Sequence, residues 1–121
     1  MKDFKNIGIV GAGSMGIGIA QIASTSGCKV FLYDQNIEIA LNALIKLKKI
    51  LNRLIEKKRI NSKKRDEILS NIKMVNSLNK LSDSDLIIEA IIENIKIKKD
   101  LFSKLQTIVK KDCIIASNTS S

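Results

Sequence analysis

A short apolar run, Ile7 to Val10, passes directly into Gly11-Ala12-Gly13-Ser14-Met15-Gly16. A glycine loop set between a strand and a helix is a phosphate cradle. Gly11 allows the tight turn, Gly13 has no side chain to keep a pyrophosphate off the backbone, and Gly16 lets the next helix pack closely on the strand. The helix start presents unpaired N–H groups and its positive dipole end to the anion. Glycine-rich turns are common, so the flanking residues decide what the motif means. Met15, Ile19, Ile22 and Ala23 predict a helical apolar face, which Gly27-Cys28 interrupts. Lys29 to Tyr33 then reads as a second strand ending on Asp34, close to the spacing at which an acidic residue meets an adenosine ribose 2′-hydroxyl. The pattern is that of a βαβ unit that binds a dinucleotide. A carboxylate at position 34 accepts from ribose hydroxyls and repels the extra 2′-phosphate of NADP, so NAD is the expected form. A capping role for Asp34 on the following helix is compatible with this.

The chain of 121 residues has room for one domain with a core and is short for a two-domain enzyme. No apolar run approaches the length needed to cross a bilayer, so no membrane partner is expected. The start, Met1-Lys2-Asp3-Phe4, lacks the apolar core of a secretion signal. Cys28 and Cys113 show no metal-type spacing and are expected as small buried residues of a reducing compartment, with the cytoplasm as the default location. The formal net charge is +9 and is unevenly spread. Lys46, Lys48, Lys49, Arg53, Lys57, Lys58, Arg59, Lys63, Lys64 and Arg65 crowd a stretch where Glu56 is the only acid. A solvated helix face, contact with the phosphates of a large anionic substrate, and nucleic-acid binding all fit such a run. Interleaved aromatics for stacking on bases are missing, which weighs against single-stranded nucleic acid.

Along the chain, a first strand is expected over Lys5 to Val10, a helix over Ser14 to Ser26 and a second strand over Lys29 to Asp34. Ile37, Leu41, Leu44, Leu47, Leu51 and Leu54 recur at helical spacing, with basic residues on the other face. This long helix breaks near Arg59 to Asn61, and Ser62 is the expected N-cap of a second helix through Leu69. The pair is a helical hairpin where a minimal βαβ unit holds one helix. Ile72 to Val75 reads as a third strand, Leu78 to Ser84 as a turn or helical piece, and Leu86 to Glu89 as a fourth strand. Asn94 is expected to cap a helix to about Val109, with Ile97, Leu101, Leu105 and Ile108 on its inner face. Ile114 to Ser117 is the fifth strand. Strands alternating with helices predict an α/β fold, a doubly wound parallel sheet of Rossmann type with a helical hairpin insertion.

Ligands of open α/β sheets bind beyond the carboxyl ends of the strands. Besides the glycine loop, two such ends carry polar residues: Glu89-Ala90-Ile91-Ile92-Glu93-Asn94, followed by Lys96, Lys98 and Lys99, and Ser117-Asn118-Thr119-Ser120-Ser121. Glu93 and Lys98 lie about a turn and a half apart at a helix start, placed to hold ribose hydroxyls or a phosphate, or to form a plain surface pair. The Ser-Asn-Thr-Ser run reads either as a turn satisfying its own backbone or as a site.

The stretch Ile7 to Gln21, then Asp34, then Leu86 to Asn94, then Ile115 to Ser121 closely resembles the NAD-binding domain of 3-hydroxyacyl-CoA dehydrogenases, with the short bacterial 3-hydroxybutyryl-CoA enzymes nearest. The opening motif is shared with other β-hydroxyacid dehydrogenases; the Glu-Ala…Glu-Asn and Ser-Asn-Thr-Ser-Ser blocks are more specific. The resemblance implies that Gly11, Ala12, Gly13, Ser14, Met15 and Gly16 hold the pyrophosphate of NAD and that Asp34 holds the adenosine ribose. It implies that Glu93 and Lys98 contact the nicotinamide half and that Ser120 lies between nicotinamide and substrate. It also implies that the basic hairpin touches coenzyme A, with Lys57 as the contacting lysine.

One departure from the family pattern stands out. Its members use a His–Glu pair, and this chain has no histidine. The family histidine lies beyond the Ser-Asn-Thr-Ser-Ser block, as do the last strands of the nucleotide domain and the all-helical C-terminal domain. The sheet is therefore expected to be incomplete at the C-terminus, with residues 1–121 a truncated NAD-binding domain. No side chain present has an ordinary pKa near neutrality for proton abstraction. The 121 residues alone are expected to be inactive toward acyl-CoA substrates. A homo-oligomer or a complementing C-terminal domain is expected in the complete enzyme. A non-catalytic NAD-binding module and one half of a split enzyme are the alternatives.

Overall fold

The computed structural model describes residues 4–90 and 95–117. Five strands, β1 (Asn6–Val10), β2 (Lys29–Tyr33), β3 (Ile72–Val75), β4 (Leu86–Glu89) and β5 (Ile114–Ser117), form one sheet in the order β3-β2-β1-β4-β5. Every pairing is parallel, with Ile9 opposite Leu32 and Ile88, and Val10 opposite Tyr33 and Glu89. Parallel neighbours require crossovers, and helices α1 (Ser14–Thr25), α2 (Ile37–Glu56), α3 (Ser62–Ser70) and α4 (Ile95–Ile108) supply them. The order reverses at β1, between β2 and β4, and that switch point places the glycine loop at the centre of the crevice.

Side chains alternate across the sheet, so each face collects its own core. On one face Ile7, Ile9, Val30 and Leu32 meet Ala20 and Ala23 of α1, Ala40, Ala43, Leu47 and Leu51 of α2, and Ile68 of α3. On the other face Val10, Val75 and Ile87 meet Leu81 and Leu105, with Phe31, Tyr33, Leu101 and Ile115 packed around them. Burying one such Leu or Ile side chain contributes about 1.5–3 kcal/mol.

Strand and helix positions follow the sequence within a residue or two, but several faces differ. Of the four residues expected to form the apolar face of α1, Ala23 is buried and Ile19 packs on the core, while Met15 and Ile22 are exposed. The buried stripe is Gly16, Ala20, Ala23 and Ser24, because α1 lies too close to the sheet for large side chains. On α2, Leu47 and Leu51 are buried, whereas Ile37 and Leu41 are exposed. On α4, Leu105 is buried and Ile97 is exposed. The cap of α3 is Asn61, whose side chain accepts from Lys64 N–H at 2.8 Å, rather than Ser62. Cys28 and Cys113 each precede a strand and are half-buried rather than buried. The expected cap Asn94 lies outside the described residues. Among those residues, no helix is long and apolar enough to cross a membrane.

The α2–α3 turn closes with three backbone bonds: Lys57 N–H to Arg53 O, Lys58 N–H to Ile55 O and Arg59 N–H to Leu54 O. This is the Schellman arrangement, and its left-handed position holds Lys58 at φ 60° where glycine is usual.

At the foot of the sheet, away from the crevice, one carboxylate gathers three donors. Asp85 accepts the N–H groups of Lys5 and Asn6 at 2.8 and 2.9 Å, and its other oxygen accepts the Lys110 ammonium at 2.5 Å. The Lys110 side chain and the two amides hold the Asp85 carboxyl well below the usual carboxylate range, and the Lys110 ammonium is correspondingly shifted up.

Candidate dinucleotide-binding site

The glycine loop is built by backbone geometry. Gly11 follows β1 directly, adopts φ 107° and donates its N–H to Tyr33 O at 2.8 Å. A β-carbon at that φ would be strained, so glycine is required there. Gly16, one turn into α1, faces back onto it. A β-carbon on Gly16 would run into the Gly11 carbonyl oxygen and lie 2.9 Å from its carbon and 3.4 Å from Ile9 Cγ2. The helix therefore packs on the strand end only if residue 16 has no side chain.

Gly13 is different. Its φ of −69° suits any residue, and a β-carbon there would meet nothing within 4 Å. Nothing inside the protein calls for glycine at this position, but a ligand approaching the backbone would. Gly13 is also the N-cap of α1, so it offers no side-chain acceptor to the first-turn N–H groups, and the first turn carries no acid. By contrast, Asn36 caps α2 and Asn61 caps α3 through their side chains. The start of α1 thus suits an outside anion.

Asp34, just beyond β2, ties this loop to its neighbour. Its Oδ2 accepts the Ala12 N–H at 2.8 Å and its Oδ1 accepts the Asn36 N–H at 2.8 Å. Backbone hydrogen bonds to a carboxylate are worth about 1.5–3 kcal/mol each, which orders the loop before any ligand arrives. The loop-fixing role is on view, but the cap of α2 is Asn36 and not Asp34, which only accepts the N–H of that cap residue; the half-buried carboxylate stands beside the start of α1. Ala12 is buried, Ser14 and Met15 are exposed, and all of Gly11 to Gly16 lie together at the head of β1.

The other half of the crevice is made of side chains. Glu89, the last residue of β4, is 1% exposed. Its Oε1 accepts from Ser117 Oγ at 3.3 Å and pairs with Lys98 Nζ of α4 at 3.8 Å. The three groups come from β4, β5 and α4, and they meet beyond the carboxyl ends of the strands. The sequence places Glu89 at the head of the polar block that closes β4, but spacing along the chain does not show that it is buried against Lys98. The only hint was a charged residue closing an otherwise apolar strand. Glu93 and Ser120 lie outside the described residues. Lys57 is exposed at the C-cap of α2, on the hairpin and not in the crevice. The loop, the bare start of α1 and Asp34 fit the diphosphate and adenosine ribose of a dinucleotide.

Residues 6–121 match the family model described as the NAD-binding domain of 3-hydroxyacyl-CoA dehydrogenase. The chain belongs to this family. It is 43% identical over 114 residues to a probable 3-hydroxybutyryl-CoA dehydrogenase of Deinococcus radiodurans, covering 94% of this chain and 41% of that protein. A probable 3-hydroxybutyryl-CoA dehydrogenase of Bacillus subtilis is 40% identical over 119 residues, covering 98% of this chain and 42% of the relative. Among solved structures, the (S)-3-hydroxybutyryl-CoA dehydrogenase of Ralstonia eutropha superposes with a TM-score of 0.94 at 35% identity, over 98% of this chain and 42% of that one. The chain thus spans about two fifths of the length of these relatives. The Rossmann-type fold of a 3-hydroxyacyl-CoA dehydrogenase NAD-binding domain, and NAD as its cofactor, are established by these matches.

Proposed function

We propose that this domain serves the NAD-dependent interconversion of a 3-hydroxyacyl-CoA, 3-hydroxybutyryl-CoA foremost, and its 3-oxo form. The observation that carries the reading is the uncapped start of α1 with open space over Gly13, next to a carboxylate fixed at the end of β2. Gly11, Ala12, Gly13, Ser14, Met15 and Gly16 hold the diphosphate, and the charge of Asp34 keeps a 2′-phosphate out. Glu93, Lys98 and Ser120 face the nicotinamide half and the substrate. Lys57 and its basic neighbours on the hairpin meet the phosphates of coenzyme A. Bound NAD supplies the hydride acceptor for the hydroxyl-bearing carbon.

The 121 residues contain no histidine, and no other side chain with an ordinary pKa near neutrality takes its place as base. The proton acceptor is therefore supplied by protein outside these residues, either a C-terminal helical domain or a partner, and the chain alone does not turn over in the cytoplasm or in a cuvette. A non-catalytic NAD-binding module is the second reading, favoured by that same missing base.

Calorimetric titration with NADH and NADPH tests the cofactor half. NADH is expected to bind at least about tenfold more tightly than NADPH, a difference of about 1.4 kcal/mol. Asp34→Asn keeps an oxygen for the Ala12 N–H but removes the charge, and it is expected to erase that preference. Equal affinity in the unaltered protein overturns the role of Asp34, and no binding overturns the reading. Turnover of acetoacetyl-CoA with NADH by the 121-residue protein at a full-length relative's rate overturns the need for an outside base. Restored turnover on adding the remaining three fifths of a relative separates the enzyme from the module.

A further inference from the structure

The carboxylate at the end of β4 needs an explanation of its own. Residues Leu86, Ile87 and Ile88 make β4 an apolar strand, and Glu89 continues it at 1% exposure. A buried carboxylate loses its hydration, and a strand end needs only an aliphatic side chain to fill that place. The charge is retained beside two groups at the ligand end of the sheet, the Ser117 hydroxyl at 3.3 Å and the Lys98 ammonium at 3.8 Å. The Lys98 side chain is only 12% exposed, so the carboxylate holds an ammonium that the protein has largely taken from water.

We propose that Glu89 is a positioning residue that fixes the Lys98 ammonium beyond the ends of β4 and β5 so that it meets the ribose on the nicotinamide side of the dinucleotide. This rests on the reading of Lys98 given above. A lysine has four rotatable bonds, and a held one reaches its ligand with little rotamer freedom left to lose. The pairing has a second effect. A carboxylate at that distance offsets most of the positive charge, so Lys98 offers N–H donors to neutral hydroxyls rather than a free cation to a phosphate. The phosphates are left to the start of α1.

The test compares Glu89→Gln, Lys98→Met and the double variant with the unaltered protein. NADH and ADP affinities are measured by calorimetry and the melting temperature by circular dichroism. ADP contains the adenosine half and the diphosphate but no nicotinamide ribose. Each single variant is expected to bind NADH about tenfold more weakly and ADP within about twofold, and the double variant is expected to be no weaker than either single. Where Glu89→Gln does not fold, Glu89→Asp withdraws the carboxylate by one methylene and is expected to give the same selective loss. The proposal is overturned if Glu89→Gln binds NADH like the unaltered protein, if the two losses multiply to about a hundredfold, or if NADH and ADP weaken together as melting falls. Failure of the unaltered protein to bind NADH removes the cofactor assignment beneath it, and is seen before any variant is compared.

Discussion

Among the described residues three have positive φ, Gly11, Gly27 and Lys58, and the turns that hold the first and the last are built to opposite ends. At the head of β1, Gly11 at φ 107° is buried, its N–H is given to Tyr33, and Gly16 packs on its carbonyl. At the tip of the hairpin, Lys58 at φ 60° is exposed, flanked by Lys57 and Arg59. In the first turn backbone geometry dictates glycine at positions 11 and 16, where a side chain is an intrusion. In the second the backbone would prefer glycine, and a lysine adds a third adjacent cation at some cost in conformational energy. Glycine at position 11 answers to a tightly packed loop, and lysine at position 58 presents charge to solvent.

The sharpest way to break this comparison is Gly16→Val. Its side chain meets the Gly11 carbonyl, which cannot rotate away, so a loss of at least about 3 kcal/mol in urea unfolding is expected. A midpoint unchanged within error would mean that α1 does not seat on the loop as described. Gly13→Val separates binding from folding. With nothing within 4 Å of the new β-carbon, stability is expected to hold within about 1 kcal/mol, the spread of N-cap preferences, while NADH affinity measured by titration falls about a hundredfold. Equal binding by this variant would move the diphosphate elsewhere. The smallest effect belongs to the exposed turn, where Lys58→Gly is expected to raise stability by about 0.5–1 kcal/mol in the same urea assay. A decrease would show that the lysine side chain makes a stabilising contact.

What was legible in the sequence was local. Gly11, Gly16 and Asp34 act through backbone atoms within about thirty residues of one another, and all three occupy the places their spacing predicts. The parallel pairing of the strands follows from their alternation with helices. What was hidden depended on how near the layers approach. Periodicity marks Met15 and Ile22 as a buried face, yet the close approach of α1 selects Gly16, Ala20 and Ala23 instead. Ile37 and Leu41 continue the spacing of Leu47 and Leu51, but at the start of α2 the buried positions are Ala40 and Ala43 instead. The pairing of Lys98 with Glu89 becomes visible only once α4 lies against the sheet. The loop half of the site is a property of a short segment, and the side-chain half is a property of the assembled sheet.

Asp85 joins chain positions 5, 6 and 110 at a single carboxylate. A parallel strand slipped by one residue turns its apolar side chains to the wrong face, and strands this short have few other means of resisting it. The knot under β1 and β4 pins their alignment from below. Val10 and Glu89 end level with one another at the opposite edge because the count of residues starts from the same peg.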